Sequence, residues 1–413
     1  MDFHIFWRGP ITDKLSLSSH AFLFTQPLNR AHLHLWIDSA DLPGGVPEDY
    51  IKNPYSAPLV TEPLNQYITI HSWNQTAELA YSYPNQQSEQ EIGKDGPAKP
   101  VALSDEARFL ILNRNGGIYL DADVLLLKDM SPFYDAGLEF AYEWSHTGMY
   151  NTAILRLLPG SSVARRILDG AKRRKAEILR LKQLERELQR QRMEEQQLEA
   201  EMEEMEEEER REKELENIRD EEKEASVAKK STLDFVHQVR THVKNKALKP
   251  LPKSSSHRRL RRRQLRVLHG MRPEEIYHPA RLREYLRPQD KAIEGNGLIM
   301  VPPAVFDPLW LRVDHAEPTK STDPEKMLED LPGFTDVFHE APNTVCPRQE
   351  GEEVEFSAGP EVFFTGAYAY HWHNSWQASI EPKSWMGFML KAYKDSVERR
   401  RPNLYGEWFP KNL

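Results

Sequence analysis

The feature that most constrains this chain is a charged stretch, residues 170–228, in which neither Gly nor Pro follows Gly170. Glu, Arg, Lys, Gln and Leu dominate it, and this composition favours one long, solvated helix. Between Glu194 and Glu224 the stretch holds 17 acidic and 5 basic residues, a net charge of −12, whereas the whole chain carries −9. The remainder is therefore near +3, so the overall acidity indicates nothing about partners of the folded part.

Apolar residues within the stretch form two groups with helical 3-and-4 spacing: Leu181, Leu184 and Leu188, then Leu198, Met202 and Met205. Because polar residues separate the two groups, helix-mediated self-association as a coiled coil stays open beside the simpler single charged helix. A basic segment, His257–Arg263, follows. Its charge fits nucleic acid or an acidic surface, and equally an exposed linker or a basic partner of the acidic helix. We favour the last two and expect no nucleic-acid partner.

The rest of the chain has the composition of a folded protein. Hydrophobic residues make up 39% and aromatic residues 10%, too much for a chain disordered throughout. Cys346 is the single cysteine, which excludes an intrachain disulfide and a multi-cysteine metal site. The sequence has no apolar run near the ~20 residues that cross a bilayer.

Short apolar runs and helical stretches alternate up to about Leu158, and this predicts an α/β sheet domain. The candidate strands are Phe3–Arg8, His32–Ile37, Tyr67–His71, Gly117–Leu120, Leu138–Tyr142 and Thr152–Arg156. The candidate helices are Ser16–Leu28 and Asp105–Asn113, the second with Ser104 as its N-cap.

The sheet pattern resumes at Gly297–Pro302, with a further strand predicted at Phe363–Ala367 and a helix at Ser384–Arg399. The charged stretch therefore interrupts one fold. We predict an N-terminal part of the catalytic domain over residues 1–169, a helical insertion with a basic linker over 170–292, and a C-terminal part over 293–413.

The strongest local signal is the segment Asn115–Val124, which reads Asn-Gly-Gly-Ile-Tyr-Leu-Asp-Ala-Asp-Val. The two glycines end a helix, and an apolar strand then carries two aspartates to its carboxyl end, the edge where open α/β sheets bind ligands. Alternation along a strand would place Asp121 and Asp123 on one side, where two carboxylates suit a divalent cation holding a diphosphate. Aspartates at a strand end are also common hydrogen-bond acceptors in turns. The interpretation therefore rests on the whole unit of helix, Gly-Gly, strand and Asp-x-Asp.

The stretch Ser104–Val124 resembles the Asp-x-Asp sugar-binding region of family 32 glycosyltransferases, a group similar to yeast initiating and sphingolipid mannosyltransferases. The resemblance implies a GT-A-like fold with a mixed central sheet and a retaining hexosyltransferase. It implies a UDP- or GDP-hexose donor, Mn²⁺ or Mg²⁺, and a glycan, glycolipid or protein acceptor. By position, Asp105 and Arg108 would grip the donor sugar. Asp121 would contact the donor and reach the metal chiefly through water, and Asp123 would bind the metal directly.

A second cluster spans His371–Trp376, where histidine and asparagine can bind metal or phosphate and tryptophan can close over a nucleotide. In the resembled family a similar element completes the metal and diphosphate site. This implies His371 and His373 as metal ligands and a donor-binding role for Asn374, Ser375 and Trp376. In an extended segment the two histidines would share one face, although one of them packing as a hydrogen-bonded core residue is an equally simple interpretation.

Two further positions carry weaker predictions. Asn151 precedes the strand Thr152–Arg156 and matches a position where the resembled family often has asparagine near the sugars. Trp7 ends the first strand, where the family holds the base and ribose, and core packing explains it equally well.

Two other classes of function compete. An apolar strand followed by Asp-Ala-Asp-Val also resembles the nucleophile motif of haloacid-dehalogenase-like phosphatases, but that motif normally lies on the first strand. It also needs a later Gly-Asp-x-x-x-Asp element, which the sequence lacks after Asp123. A noncatalytic coiled-coil scaffold resting on the charged helix alone would leave both site clusters unexplained, whereas a scaffold built on a degenerate transferase stays an open alternative.

The compartment is an expectation from the resemblance alone. Strand Phe3–Arg8 begins almost at the first residue. A Golgi membrane protein facing the lumen is expected if an anchor lies upstream, and a cytoplasmic enzyme if Met1 is the true start.

Overall fold

The computed structural model describes residues 1–38, 48–83, 100–144, 148–228, 276–286, 297–308, 364, 366–373, 376 and 378–409. The chain divides into two compact units. The first comprises Met1–Arg174 and Glu274–Leu413, and the second comprises Lys175–Pro273. The segment Asn85–Pro100 is polar with Gly and Pro, which predicts a loop, and apart from Pro100 it lies outside the described residues. The basic segment His257–Arg263 also lies outside them.

The first unit is built on a seven-stranded sheet and a two-stranded sheet. In chain order the strands are β1 Asp2–Trp7, β2 His32–Asp38, β3 Ile68–Trp73, β4 Gly117–Leu120, β5 Val124–Leu126, β6 Phe140–Glu143, β7 Tyr150–Leu157, β8 Ile299–Val301 and β9 Ala369–His371. The large sheet has the order β3-β2-β1-β4-β7-β6-β8. Strands β3, β2, β1 and β4 run parallel, whereas β7 is antiparallel to both β4 and β6. The predicted mixed α/β fold with a mixed central sheet is confirmed.

The described helices flank these strands or extend from them. They are α1 Asp13–Thr25, α2 Glu48–Lys52, α3 Ala57–Val60, α4 Gln75–Ser82, α5 Pro100–Asn115, α6 Ser131–Asp135, α7 Ser162–Ala228, α8 Pro279–Tyr285, α9 Pro303–Phe306 and α10 Trp385–Val397. Ser384 caps α10, since its Oγ accepts from the Gly387 amide at 3.0 Å. Within the described residues, none of the helices is long and apolar enough to cross a membrane.

The core lies between the large sheet and α1. Phe3 and Ile5 on β1 and Leu35 on β2 are at most 1% exposed. The Phe3 ring meets that of Phe22 on α1 edge-on at 5.2 Å between centroids. Such near-continuous burial is typical of parallel strands covered on both faces. The core therefore fixes the carboxyl ends of β1 and β4 side by side, which is where the site forms.

Helix α7 confirms the predicted long, charged helix, although it begins at Ser162 rather than near Gly170. From Met193 onward its described apolar side chains lie in solvent, with Met193 66% and Leu198 60% exposed, whereas Ile178 is only 5% exposed. Exposed i,i+4 pairs such as Arg211 with Glu207, at 3.2 Å, follow the helix and each contribute only a few tenths of a kcal/mol. This part of the helix is therefore charged and exposed to solvent.

The strand predicted at Phe363–Ala367 is wrong: the strand of this region is β9, Ala369–His371. It pairs antiparallel with β5, which sets His371 opposite Val124. Because that pairing joins distant segments, the local apolar pattern could not set its register.

Candidate active site

The turn between α5 and β4 depends on two glycines. Gly116 and Gly117 have φ values of 66° and 95°, the left-handed region that favours glycine. A Cβ on Gly117 would lie 2.5 Å from the backbone oxygen of Asp2 on β1. The Gly-Gly pair therefore ends the helix and lets β4 lie against β1, as the sequence predicts.

Asp121, Ala122 and Asp123 form a tight turn after β4, closed by a 3.0 Å hydrogen bond from the Val124 amide to the Asp121 oxygen. The prediction that strand alternation orients the two aspartates is therefore wrong, because β4 ends at Leu120. The turn itself brings both carboxylates to one cavity. The Trp372 amide also holds this turn in place, by donating to the backbone oxygen of Asp123 at 3.1 Å.

Arg108 on α5 connects the helix to this turn. Its Nη2 lies 2.9 Å from Oδ1 of both Asp105 and Asp121, and its Nη1 donates to Thr152 Oγ1 at 2.6 Å. Arg108 is only 4% exposed, and a buried guanidinium needs such partners. Its donors are largely used inside the protein, so the geometry assigns it to positioning Asp121.

Ser104 is not the N-cap of this helix. Helix α5 begins one turn earlier, at Pro100, because proline is well suited to a first helical turn. Ser104 therefore lies inside the helix, where its Oγ is 3.1 Å from the hydroxyl of Tyr119.

Burial dominates the electrostatics of these acids. It raises the pKa of Asp105 to about 6, while the nearby Arg108 guanidinium acts in the opposite direction. Burial also raises the pKa of Asp121, again opposed by Arg108 and reinforced by the neighbouring Asp123 carboxylate. Two acids in a desolvated site hold their charge less readily than in water, so the site favours a cation beside them.

A second group of side chains faces Asp123. His371 Nε2 lies 3.2 Å from Asp123 Oδ2, and His373 Nε2 lies 2.8 Å from Asp307 Oδ2. His371 Nδ1 is 2.9 Å from the hydroxyl of buried Tyr142. The two imidazole rings are 4.0 Å apart between centroids. His373 has a φ of 49°, so the pair meets through a turn after β9 rather than along an extended strand.

The two histidines differ in charge. Burial lowers the pKa of His371, but Asp123 and then Asp307 raise it to a net value of about 9. Burial lowers the pKa of His373 despite the Asp307 carboxylate. A protonated His371 thus supplies positive charge between the carboxylates of Asp123 and Asp307, as a bound cation would.

Asp307 is the site residue that no sequence pattern indicated. It follows α9 and is 0% exposed. Its Oδ1 has no hydrogen-bond partner among the described residues. The signal in the sequence is slight: an acid between Phe306 and Pro308, just after the resumed sheet pattern.

Ligand atoms of Asp307, His371 and His373 all lie within 4.8 Å of one another. With Asp123 beside His371, the set offers two carboxylates and two imidazoles. Asp307 Oδ1 is fully buried and has no hydrogen-bond partner among the described residues. A buried carboxylate oxygen without a hydrogen bond fits an atom that binds a cation. This donor set fits a first-row divalent ion such as Mn²⁺ and suits Mg²⁺ less, because imidazole is a poor ligand for Mg²⁺.

Asp123, His371 and His373, though not Asp307, line one open cavity of about 410 Å³. It brings together the predicted site residues that the structure describes: Trp7, Asp105, Arg108, Asp121, Asp123, Asn151, His371, His373 and Trp376. Asn374 and Ser375 lie outside the described residues. The predicted roles of all of these residues stay predictions.

Aromatic groups form one wall of the cavity. The rings of Trp7 and Trp376 are 5.2 Å apart between centroids and tilted by 59°. Asn151 lies within β7 rather than before it, and its Oδ1 accepts from the Ala153 amide at 2.9 Å. Arg8 and His278 also line the cavity, although no motif in the sequence marks them.

Comparison with known proteins agrees with this geometry. Residues 60–139 match the family model of the glycosyltransferase sugar-binding region containing the DXD motif. The matched segment contains Asp105, Arg108, Asp121 and Asp123. The chain therefore carries a glycosyltransferase-like sugar-binding region.

Solved glycosyltransferase structures are similar to part of the chain. The PaToxG glycosyltransferase is 18% identical over 41% of this chain and 58% of its own length, with a TM-score of 0.29. Two structures of LgtC, an active-site mutant and the galactosyltransferase with donor and acceptor sugar analogues, are each 15% identical. Each covers 38% of this chain and 56% of its own length, with a TM-score of 0.24. Less than two thirds of each of these structures is therefore matched. No curated protein sequence matches the chain.

Proposed function

We propose that the protein is a glycosyltransferase that moves a hexose from a nucleotide-sugar donor to an acceptor with the help of a divalent metal. One observation carries this proposal. The Asp121–Asp123 turn, in a segment that matches the DXD sugar-binding region, contacts His371 at 3.2 Å, and both line a cavity of about 410 Å³. A cavity of this size accommodates a nucleotide sugar in part, with the remainder reaching solvent.

In this proposal the chain's own residues have separate tasks. Asp123, Asp307, His371 and His373 hold the metal, and Arg108 holds Asp121 toward the donor. When bound, the metal offsets negative charge that develops on the diphosphate leaving group. The 2.9 Å contact between Arg108 and Asp121 fixes that carboxylate before the donor arrives, so little reorganisation is left for the reaction.

The aromatic wall receives the nucleotide. Trp7 follows the core of β1 and Trp376 packs against it, so a base can lie against either indole face. Asn151 is 6% exposed and presents an amide to the cavity near the sugar position.

The finer parts of the proposal rest on the family 32 resemblance. They are a GT-A fold, retention of anomeric configuration, a UDP- or GDP-hexose donor, and a glycan, glycolipid or protein acceptor. The mixed seven-stranded sheet supports the GT-A assignment. The resemblance also supports a lumenal Golgi location, which protease protection of the protein in isolated membranes would test.

The test is hydrolysis of a panel of UDP- and GDP-hexoses with Mn²⁺, the full chain being compared with Asp121→Ala and Asp123→Ala. Each substitution removes a carboxylate that stabilises the leaving group, so we expect a loss on the order of 100-fold or more. Asp135→Ala is the control, because Asp135 is 51% exposed and pairs with Arg30 outside the cavity. Wild-type turnover by either active-site variant would refute the assignment.

Metal binding is measured separately by electron paramagnetic resonance of Mn²⁺ titrated into the protein. Asp307→Asn keeps the shape of the side chain but removes its charge, so we expect Mn²⁺ affinity to fall about 10- to 100-fold. Asp135→Ala should bind Mn²⁺ like the wild type. Unchanged affinity in Asp307→Asn would remove Asp307 from the metal site.

A further inference from the structure

A second cavity, of about 290 Å³, lies at the opposite edge of the large sheet. Asn29 precedes β2 and Tyr67 immediately precedes β3, so the cavity opens at the amino ends of the parallel strands. The first cavity opens at their carboxyl ends, and the two share no lining residue. No task in the proposed transfer reaction uses this second cavity.

The C-terminal segment forms one side of this cavity through a closed turn. Asn403 Oδ1 accepts from the amides of Tyr405 and Glu407, each at 2.9 Å, and its Nδ2 donates to Glu407 Oε2 at 3.0 Å. Asn403 itself is 5% exposed. The Leu404 amide donates to the Phe24 oxygen at 3.1 Å, which fixes the turn to the end of α1. The turn is thus rigid before any ligand arrives.

Trp408 follows this turn and is 58% exposed. The next residue, Phe409, is 4% exposed and meets the Tyr67 ring edge-on at 6.0 Å between centroids. Trp408 is therefore held between two anchored points and still presents most of its indole to solvent at the rim of the cavity. An indole that is held in place at the rim of a cavity offers a preformed aromatic face to a ligand.

The polar groups around Trp408 identify the chemistry of the ligand. An indole face packs well against the C–H face of a pyranose ring. The Glu407 carboxylate and the Asn29 amide are the acceptors and donors that sugar hydroxyls require. A lipid tail would leave these groups unpaired, and the volume suits one or two sugar rings. We propose that this cavity is a second carbohydrate-binding site, which holds a neutral oligosaccharide at the edge of the sheet remote from the first cavity.

This inference goes beyond the proposed function and does not depend on it. The test is saturation-transfer-difference NMR and calorimetry of the full chain, with mannotriose, maltotriose, cellotriose and chitotriose as probes and no nucleotide or metal present. We expect at least one probe to bind with a dissociation constant on the order of 1 mM. Trp408→Ala should weaken binding at least tenfold, and Glu407→Gln several-fold. Trp408→Phe, which keeps an aromatic face, should retain part of it.

Two control variants establish whether a probe binds in this cavity or elsewhere on the protein. Phe388→Ala removes another aromatic side chain, 50% exposed on α10 and outside both cavities, and should bind as the wild type does. Asp123→Ala should also bind normally, even if it abolishes donor hydrolysis. Failure of every probe to bind would overturn the inference. Probe binding that survives in a folded Trp408→Ala variant would also overturn it. Loss of binding in Asp123→Ala together with normal binding in Trp408→Ala would place the probe in the first cavity and would overturn it too.

Discussion

Asp105 is a residue of the candidate site whose burial predicts a pH dependence of stability. Its pKa in the folded protein is about 6, against 3.8 for a free side chain, because the charged form is desolvated. Between pH 4 and 6 the folded state therefore binds more protons at Asp105 than the unfolded state does. The contribution of Asp105 to the free energy of unfolding therefore falls as the pH rises through this window, by about 2–3 kcal/mol. Buried His4, whose pKa is lowered to about 3, contributes with the opposite sign over the same window.

Asp105→Asn should remove this contribution. Urea unfolding of the metal-free protein at pH 4, 5, 6 and 7 measures it, and the readout is the slope with pH rather than the absolute stability, since Arg108 also loses one partner. We expect the slope of the unfolding free energy with pH to be more positive in Asp105→Asn than in the wild type, because the falling contribution of Asp105 is lost. The contributions of Asp121 and of buried His4, which have opposite signs, remain in both proteins. Asp135→Asn, at an exposed pair, should keep the wild-type slope. Equal slopes in Asp105→Asn and the wild type would contradict the prediction.

Single residues of the site were predictable where the motif was local. Asp121 and Asp123 follow a Gly-Gly turn whose geometry the sequence implies, and Asp105 and Arg108 lie within one helical turn of each other. Asp307 belongs to no local pattern, since it becomes part of the site only because β8 pairs with β6 and α9 then returns the chain toward His371. Contacts between distant segments of this kind leave no periodicity in the sequence.

At the scale of elements, the packing of α7 on α8 gives a test in which two effects oppose each other. Gly170 lies inside α7, where alanine is favoured over glycine by about 1 kcal/mol. A Cβ at this position would lie 2.5 Å from Tyr285 Cγ and 2.8 Å from Tyr285 Cβ. Tyr285 cannot move away easily, because its hydroxyl donates to the Ile276 oxygen at 2.5 Å and it is 8% exposed.

Gly170→Ala should therefore destabilise the protein by about 1–3 kcal/mol, since the overpacking exceeds the gain in helix propensity. Denaturant unfolding measures the change. In a Tyr285→Ala background the ring is gone, and Gly170→Ala should become neutral or stabilising. An equal cost in both backgrounds would show that the ring contact is not the cause.

Element boundaries were less predictable than element types. The six strands predicted before the charged stretch all occur, each with its ends shifted by a few residues or none. Helix α5 starts at Pro100 rather than Asp105, and α7 starts at Ser162 rather than near Gly170. Helix α5 extends past Ser104, the polar residue predicted as its cap, and α7 includes residues 162–169 ahead of the charged stretch. Helix ends respond to packing as well as to capping.

At the scale of the whole molecule, composition alone predicted that a charged insertion interrupts one sheet fold. The order of strands in that sheet was not predictable, because β8 comes after the charged stretch and pairs with β6, which precedes it. In the two-stranded sheet β9 likewise pairs with the earlier strand β5. Sequence patterns define each strand's faces but not its neighbour. The carboxyl-edge location of the site, by contrast, follows from the parallel strands alone.

The solvated part of α7 should be dispensable for folding. Met193, Met205 and Leu215 are 66%, 63% and 60% exposed, so the helix around them buries little apolar surface. Deleting Lys175–Ala225 leaves residues 226–273 to connect Arg174 with Glu274, and changing the length of such a connection costs only about 0.6 kcal/mol per doubling. We expect the deletion variant to be soluble, to keep its thermal transition within a few degrees of the parent and to hydrolyse the same donors.

Sedimentation of both proteins would also test self-association through the helix, which the variant should lack. An insoluble variant beside a soluble parent would show that the helix stabilises the sheet unit, and loss of hydrolysis in a folded variant would place the helix in the reaction.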